Sequence, residues 1–571
     1  MSQDPSSVRL LDPRGELVLA RPSLAHRPDA ATLAAGTLLF YDNTKLDVGH
    51  FGELLPTLKA GLRARGITRF VDVRQTIRGT SGQDIDALAR RFQALGVSAA
   101  VIALADMGVS PAMVALTVAM EALGLPTVCL TAGPGSRLAR AHAHYRAGHL
   151  CLLPYDIHPG TSVDTITRLA DDSVTRLVAM LTAQGDELAA LAAIDHEVDA
   201  QPAQADGLLP ADPHDTSASG EPDLDAVHAR FERLHLGDGL PFLPPTPARY
   251  EAMRTYCPFD PQEVILRDIG PSGTPLRVRE ALIAAVMAGC RPAMVPILLT
   301  ALRAIARPAY GLRQAITTSF SGGHFVLASG PIAQQVGLHG GQGCLGPGFV
   351  ANSSIGRAVN LALINVCRSV PGKADLACLS SPAETAYCMA EDPTLSPWPT
   401  MSQERFGAEA TCVMTLKAEP PHAVMDFASD NAASLMGTIL DACTTLGSNN
   451  AYVPGCLVLV LTPDHASLLA EAGYDKARLR REIHESVKTP LALLRGRGIV
   501  GVTFRDDGQG YQRVTRSPAD VEIVVAGGKG GHSAVILPWS LHADPIHEVV
   551  RLPDGEPAPG VEALRRVRSP V

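Results

Sequence analysis

The chain is poor in aromatic residues: Phe, Trp and Tyr make up 4% of its 571 positions. Surfaces that stack nucleic-acid bases are built from such rings, so none is expected. Positive charge is also short, with 49 Lys and Arg against 58 Asp and Glu and a net charge of −9. A chain of that sign does not gather phosphate backbones or anionic lipid by general attraction; no nucleic acid and no membrane is expected as a partner, and only a local pocket for a small anion is allowed. The most apolar stretch, ALIAAVMAGC, is cut by Arg291-Pro292 and is too short to span a bilayer. The opening MSQDPSSVRLLDPRGE has no basic-then-apolar run, so a soluble, cytoplasmic protein is expected. Eleven cysteines are scattered without a CxxC pair or zinc-like spacing, and in a reducing compartment most read as small buried hydrophobes. HExxH, calcium-loop and GxSxG patterns are absent, and His142 and His144 stand two apart, on different sides of a helix. No metal is expected, and nothing in the pattern names a cofactor.

What is present is 46% hydrophobic residues and 51 glycines, the composition of a well-buried, turn-rich protein too long for one core. Residues 1–35 are punctuated by Pro and Arg and read as an irregular lead-in. Over 36–195 short apolar runs alternate with helical patterns: GTLLFYDN, RFVDVRQ, SAAVIALAD, LPTVCLTAG and HLCLLPYD are strands, with helices between and a long helical stretch at about 161–193. That alternation implies a Rossmann- or flavodoxin-like parallel sheet, with ligands expected beyond the carboxyl ends of its strands. Residues 196–223, rich in Pro, Asp and Ala, read as a linker. A larger α/β domain follows over 224–550, then a loosely ordered tail, 551–571. Internal duplication is hinted at. The helix 294–305, the strand FVLASGP and the helix starting IAQQVG recur as LMGTILDACTTL (435–446), LVLVLTP and HASLLAEAG. Two lobes would place a cleft at their interface.

The second domain centres on 319–366, where a strand runs into a glycine-rich loop and then an amphipathic helix capped by Asn352 or Ser353. A glycine loop at a helix N-terminus turns backbone N–H groups and the dipole toward an anion. Gly346, Gly348, Asn352 and Ser353 would line that site, with Arg357 one turn in as a cationic fork. The other reading is a glycine connection packed tightly in the core.

At Asp106–Ser110, and again in DGLPFLPPT, AVMAGCRPAMVPILLTAL, ASGPIAQQVG, LGPGFVANSSIGRA, AEDPTLSPW and VVAGGKGGHSAVI, the chain resembles the UGSC family of (seleno)proteins. The family is named for a selenocysteine- or cysteine-Gly-Ser-Cys motif at a strand end. The resemblance covers most of 36–155 and 230–545 and implies redox or nucleophilic thiol chemistry, in which the anion is the reactive form. Where the family carries that motif this chain reads Met107-Gly108-Val109-Ser110. A thioether cannot become a thiolate, so Ser110 is left as a hydrogen-bonding group and the chemistry passes to the second domain.

Two cysteines there are candidate nucleophiles: Cys290, beside Arg291 at a helix end, and Cys344, inside the glycine loop; each reads equally as filler. Glu391 beside a rigid Pro-bounded loop and His324 before the strand are candidate proton carriers. In GGKGGHS, Lys529 sits in a second glycine turn, either an anion nest or a tight hairpin. The sequence therefore predicts an enzyme on a small anionic organic substrate, by redox or lyase-type chemistry, with a non-catalytic small-anion binding protein or an inactive paralogue of a UGSC-family enzyme as the alternative. Whether it forms a homo-oligomer is left open.

Overall fold

The alternating apolar runs of the first half become five strands: β1 (Leu38–Asp42), β2 (Phe70–Arg74), β3 (Ala99–Asp106), β4 (Thr127–Ala132) and β5 (Leu152–Tyr155). In the computed structural model, which describes residues 8–17, 22–76, 82–195, 206–498, 502–539 and 544–566, they form an all-parallel sheet ordered β2-β1-β3-β4-β5. Successive side chains go to opposite faces. Leu38, Phe40 and Val101 meet the helices Leu54–Arg63 and Val163–Thr182 on one side. Leu39, Tyr41 and Ile102 meet Gly82–Gln93 and Ser110–Ala122 on the other. Covering both faces is what a parallel sheet of near-continuous apolar strands requires.

The larger α/β region has four layers. After the hairpin β6 (Val264–Leu266) and β7 (Leu276–Arg277), strands β8 (Gly323–Ser329), β9 (Cys388–Ala390) and β10 (Cys412–Ala418) join one sheet, ordered β17-β10-β8-β9. Strands β11 (His422–Met425), β12 (Leu457–Leu461), β15 (Val521–Val525) and β16 (His532–Ile536) form the other, ordered β11-β16-β12-β15. The hairpin β13 (Lys488–Pro490) and β14 (Tyr511–Arg513) stands apart, and β17 (Ile546–Val549) closes the first sheet. Phe325, Leu327, Met414 and Leu416 of one sheet meet Val458, Val460 and Val524 of the other in a shared apolar layer. The outer face of the first sheet carries the helices Val278–Ala288, Val295–Ile305 and Val350–Cys367. The outer face of the second carries Ala432–Ala442, Pro463–Glu471 and Lys476–Ser486.

The two sheets repeat one pairing plan. In each, a central strand has a parallel neighbour (β8 with β9, β12 with β15) and an antiparallel one (β8 with β10, β12 with β16). The outermost strand comes from the other half: β17 pairs β10, and β11 pairs β16. Equivalent bonds mark the correspondence. Glu391 N–H donates to Ala328 O as Ala526 N–H does to Leu461 O. Where the sheets meet, Glu419 N–H donates to Leu537 O and Trp539 N–H to Lys417 O.

Three local differences from the sequence reading have simple causes. The Gly527–Gly531 turn is not a hairpin, because β12 lies between β15 and β16. The helix after the glycine loop begins at Val350, so neither Asn352 nor Ser353 is its cap. Tail residues 551–566 are packed, since Val561 and Leu564 enter the core of the second region. Leu209, within the expected linker, and Leu10 and Leu11 of the lead-in enter the same core, whereas 196–205 and 567–571 lie outside the described residues. No helix among the described residues is long and apolar enough to cross a membrane.

Candidate functional site

The antiparallel register of β8 and β10 sets Lys417 directly opposite His324. Their neighbours Leu416 and Phe325 face the layer between the sheets, so this pair faces the other way, toward the Val350–Cys367 helix. Both are buried, at 4% exposure each. They line a cavity of about 200 Å³ together with Asn360, Leu363 and Ile364 of that helix. The remaining wall is the irregular stretch 369–385, which contributes Asp375, Ser380, Ser381, Glu384 and Thr385. Asp238 also lines it and holds Arg357 in a two-pronged pair, at 2.7 Å to Nε and 2.8 Å to Nη2.

A charged amine with little water around it needs partners. Lys417 Nζ lies 3.6 Å from Glu384 Oε1. That oxygen makes no hydrogen bond, while the other carboxylate oxygen accepts one from the Ser380 hydroxyl. Burial pulls the Lys417 amine below its ordinary range, against the opposing effect of Glu384 and Asp375. Burial likewise raises the carboxyls of Glu384 and Asp375, with Lys417 working the other way on each. The shifts bring the amine and the acids closer together in proton affinity, weakening the preference for the ion pair. His324 is held well below its usual value by burial and then by Lys417, so its ring is neutral at pH 7. Its Nδ1 stands 2.5 Å from the hydroxyl of Tyr310, whose own proton is retained because burial raises its pKa far above the usual range. With that hydroxyl donating, Nε2 carries the ring proton. An amine, an imidazole and two carboxyls thus border one small space, with the Tyr310 phenol behind the imidazole, the groups general acid–base chemistry uses.

The N-terminal domain bears on this wall. Leu138 and Ala141 of the Gly135–Arg146 helix pack against Ala374 and Leu376, which flank Asp375. Arg146 adds a 2.8 Å pair with Asp268.

Of the residues singled out in the sequence, His324 is the one in the cavity. Glu391 lies at the far end of the same sheet: it accepts from Ser329 Oγ at 3.0 Å and from Met401 N–H at 2.6 Å, with Lys476 Nζ 3.5 Å away. Ser329 is five residues beyond His324, about 16 Å at ~3.3 Å per residue, so the two do not share a site. Burial raises the Glu391 carboxyl, and its surroundings are an ion-pair network with Glu404, Arg480 and Glu522. Cys290 is buried and its thiol is pushed up to about 12 by burial alone; Cys344 is buried and raised for the same reason. Neither is poised as a thiolate at neutral pH.

Gly346, Asn352 and Ser353 line a second cavity, also about 200 Å³, and Gly348 is exposed beside it. The Asn352 side chain is committed to closing the loop, accepting from His339 N–H and donating to His339 O and Cys344 O. Arg357 is held by Asp238. Lys529 is exposed at the second glycine turn, which meets the first loop where Gly527 N–H donates to Gly340 O at 2.8 Å. Ser110 is fully buried and donates to Gly135 O at 3.1 Å, tying two helix starts together at the carboxyl edge of the all-parallel sheet. No group of three or more His, Cys, Asp or Glu suited to a metal occurs among the described residues. No family model, curated protein or solved structure matches the chain.

The sequence reading passed over Lys417, Glu384, Asp375 and Tyr310. A signal for the first was available: the chain has seven lysines, and one interrupts the apolar strand CVMTLKA. Tyr310 and Glu384 end short helical turns and Asp375 lies in a loop, and no local pattern encodes the return of these segments to β8.

Proposed function

We propose that the chain is an enzyme performing lyase-type proton transfer on a small polar organic molecule in the Lys417–His324 cavity. The observation that carries this reading is the buried cross-strand pair of amine and imidazole facing a cavity whose remaining wall supplies two carboxyl groups. The fold does not need those polar groups there. At the positions the repeat makes equivalent, the second sheet has Leu457 and Leu537, both buried. The charge balance favours a neutral carbonyl compound over the anion suggested by the glycine loop, because Asp238 already takes Arg357, leaving Lys417 facing Asp375 and Glu384. Kinship with the UGSC family belongs to the same proposal. Two of its motif segments, DGLPFLPPT and LGPGFVANSSIGRA, are joined by the Asp238–Arg357 pair at the cavity rim. Thiol redox chemistry is the weaker assignment, given the burial of Cys290 and Cys344.

The test is deuterium wash-in from D2O into a panel of small aldehydes, ketones and oxo acids, followed by proton NMR. Positioned acid–base groups contribute roughly 10²–10⁴-fold. Exchange catalysed by the wild-type protein should fall about 100-fold or more in Lys417→Met and in His324→Phe. Exchange that is equal in the variants, or absent across the panel, refutes the reading.

A further inference from the structure

We infer that Lys417 is an imine-forming lysine, so that the substrate class is a small aldehyde or ketone held covalently on Nζ. The inference rests on the proposed reading of the cavity and names the bond made there. Four observations converge. The amine is at the wall of a cavity of about 200 Å³, room for a compound of a few carbons. Its nearest acid, Glu384, stands 3.6 Å away, with Oε1 free of any hydrogen bond. His324 lies opposite it, fixed through Nδ1 by Tyr310. Burial shifts the amine toward the unprotonated form, the one with a lone pair to give, and the carboxyl toward the protonated one.

The step balances without a co-reactant. The Nζ lone pair forms a bond to the carbonyl carbon while the C=O π pair moves to oxygen. One N–H proton passes to that oxygen, giving a carbinolamine. The Glu384 carboxyl then protonates the hydroxyl, the C–O bond breaks and water leaves. The nitrogen lone pair closes C=N, leaving a protonated imine beside the Glu384 carboxylate. Nothing is oxidised or reduced; the amine, carbonyl and acid become iminium, water and carboxylate. The cation formed replaces the charge that burial had disfavoured on the free amine, now with its counter-ion already in place. The Glu384 carboxylate so formed and Asp375 remain available to take a proton from the carbon next to the iminium, while His324 can donate one from Nε2.

The experiment is reductive trapping at pH 7 with sodium cyanoborohydride and, separately, glycolaldehyde, dihydroxyacetone, pyruvate and glyoxylate, followed by peptide mapping. With seven lysines in the chain, every site can be followed. At least one probe should give a single adduct on Lys417, forming at least 10-fold faster than on any other lysine. It should be lost in Lys417→Met and slowed about 10-fold or more in Glu384→Gln, which keeps the amine. Circular dichroism of both variants shows whether each is folded. Labelling confined to other lysines, or unchanged in Glu384→Gln, overturns the imine. The deuterium assay on the same samples separates the two ideas. Exchange without a Lys417 adduct removes the imine and leaves proton transfer standing, whereas loss of both removes the reading of the cavity itself.

Discussion

Two helical glycines should respond to the same substitution with opposite sign. Gly356 lies inside the Val350–Cys367 helix, where an added Cβ would stand 2.7 Å from Tyr387 N and 3.2 Å from Ala386 Cα. Gly437 lies inside the Ala432–Ala442 helix, and a Cβ there meets nothing within 4 Å. Replacing a helix-interior Gly by Ala gains ~0.8–1 kcal/mol of helix propensity at either site. At Gly437 that gain is unopposed, so Gly437→Ala should stabilise by about 1 kcal/mol. At Gly356 the obstructing atoms are main chain and cannot rotate aside, and overpacking of this kind costs ~1–3 kcal/mol. The clash is at the severe end of that range, so Gly356→Ala should destabilise by about 1–2 kcal/mol net. Thermal unfolding followed by circular dichroism reads the pair, with a shift of about 2 °C per kcal/mol for a region of this size. Because Ala386 and Tyr387 follow Glu384 and Thr385, Gly356→Ala should also lower turnover. A Gly356→Ala protein as stable as wild type would refute the close approach of helix and strand that shapes one side of the cavity.

Native alkylation with limiting iodoacetamide should label Cys378 alone, since the other ten cysteines are buried; fast labelling of Cys290 or Cys344 contradicts their assignment as inert. Lys417 has a depressed pKa in the fold, so below its usual 10.5 the unfolded chain holds the proton more tightly. Stability conferred at this position therefore rises with pH toward 10.5, and the melting temperature of wild type relative to Lys417→Met should climb between pH 7 and 10. Burial alone would raise the Glu522 carboxyl, but His547 and Arg405 outweigh it and hold it at about 2 against an ordinary 4.5. Its stabilisation is present above pH 4.5 and is lost as pH falls toward 2. Each pH unit between the folded and unfolded values is worth ~1.4 kcal/mol, so Glu522→Gln should cost on the order of 3 kcal/mol at pH 7. The same variant should flatten the acid limb of a melting-temperature profile.

The all-parallel N-terminal sheet was legible almost residue by residue, because each strand is a short apolar run and each helix an amphipathic one, both set by local spacing. The repeat was legible as a recurring helix–strand–helix order. Its strand exchange was not, since antiparallel neighbours such as Cys412 and Val549 are far apart in the chain and carry no local mark. His324 could be singled out as an ionisable residue preceding a strand. Its partner Lys417 became visible only through the register of β8 against β10. The glycine loop was read correctly as a loop. Its Asn352 proved to serve loop closure, a role that depends on where His339 and Cys344 turn their main chain.

The exchange of outer strands has a consequence for biosynthesis. When β10 leaves the ribosome its free edge awaits β17, and β11 awaits β16, both encoded more than a hundred residues later. At ~5–20 residues per second the nascent chain spends on the order of 10 s with an open strand edge. Neither half can complete its sheet alone, so an early stop anywhere between the two lobes leaves a product primed to pair with another copy.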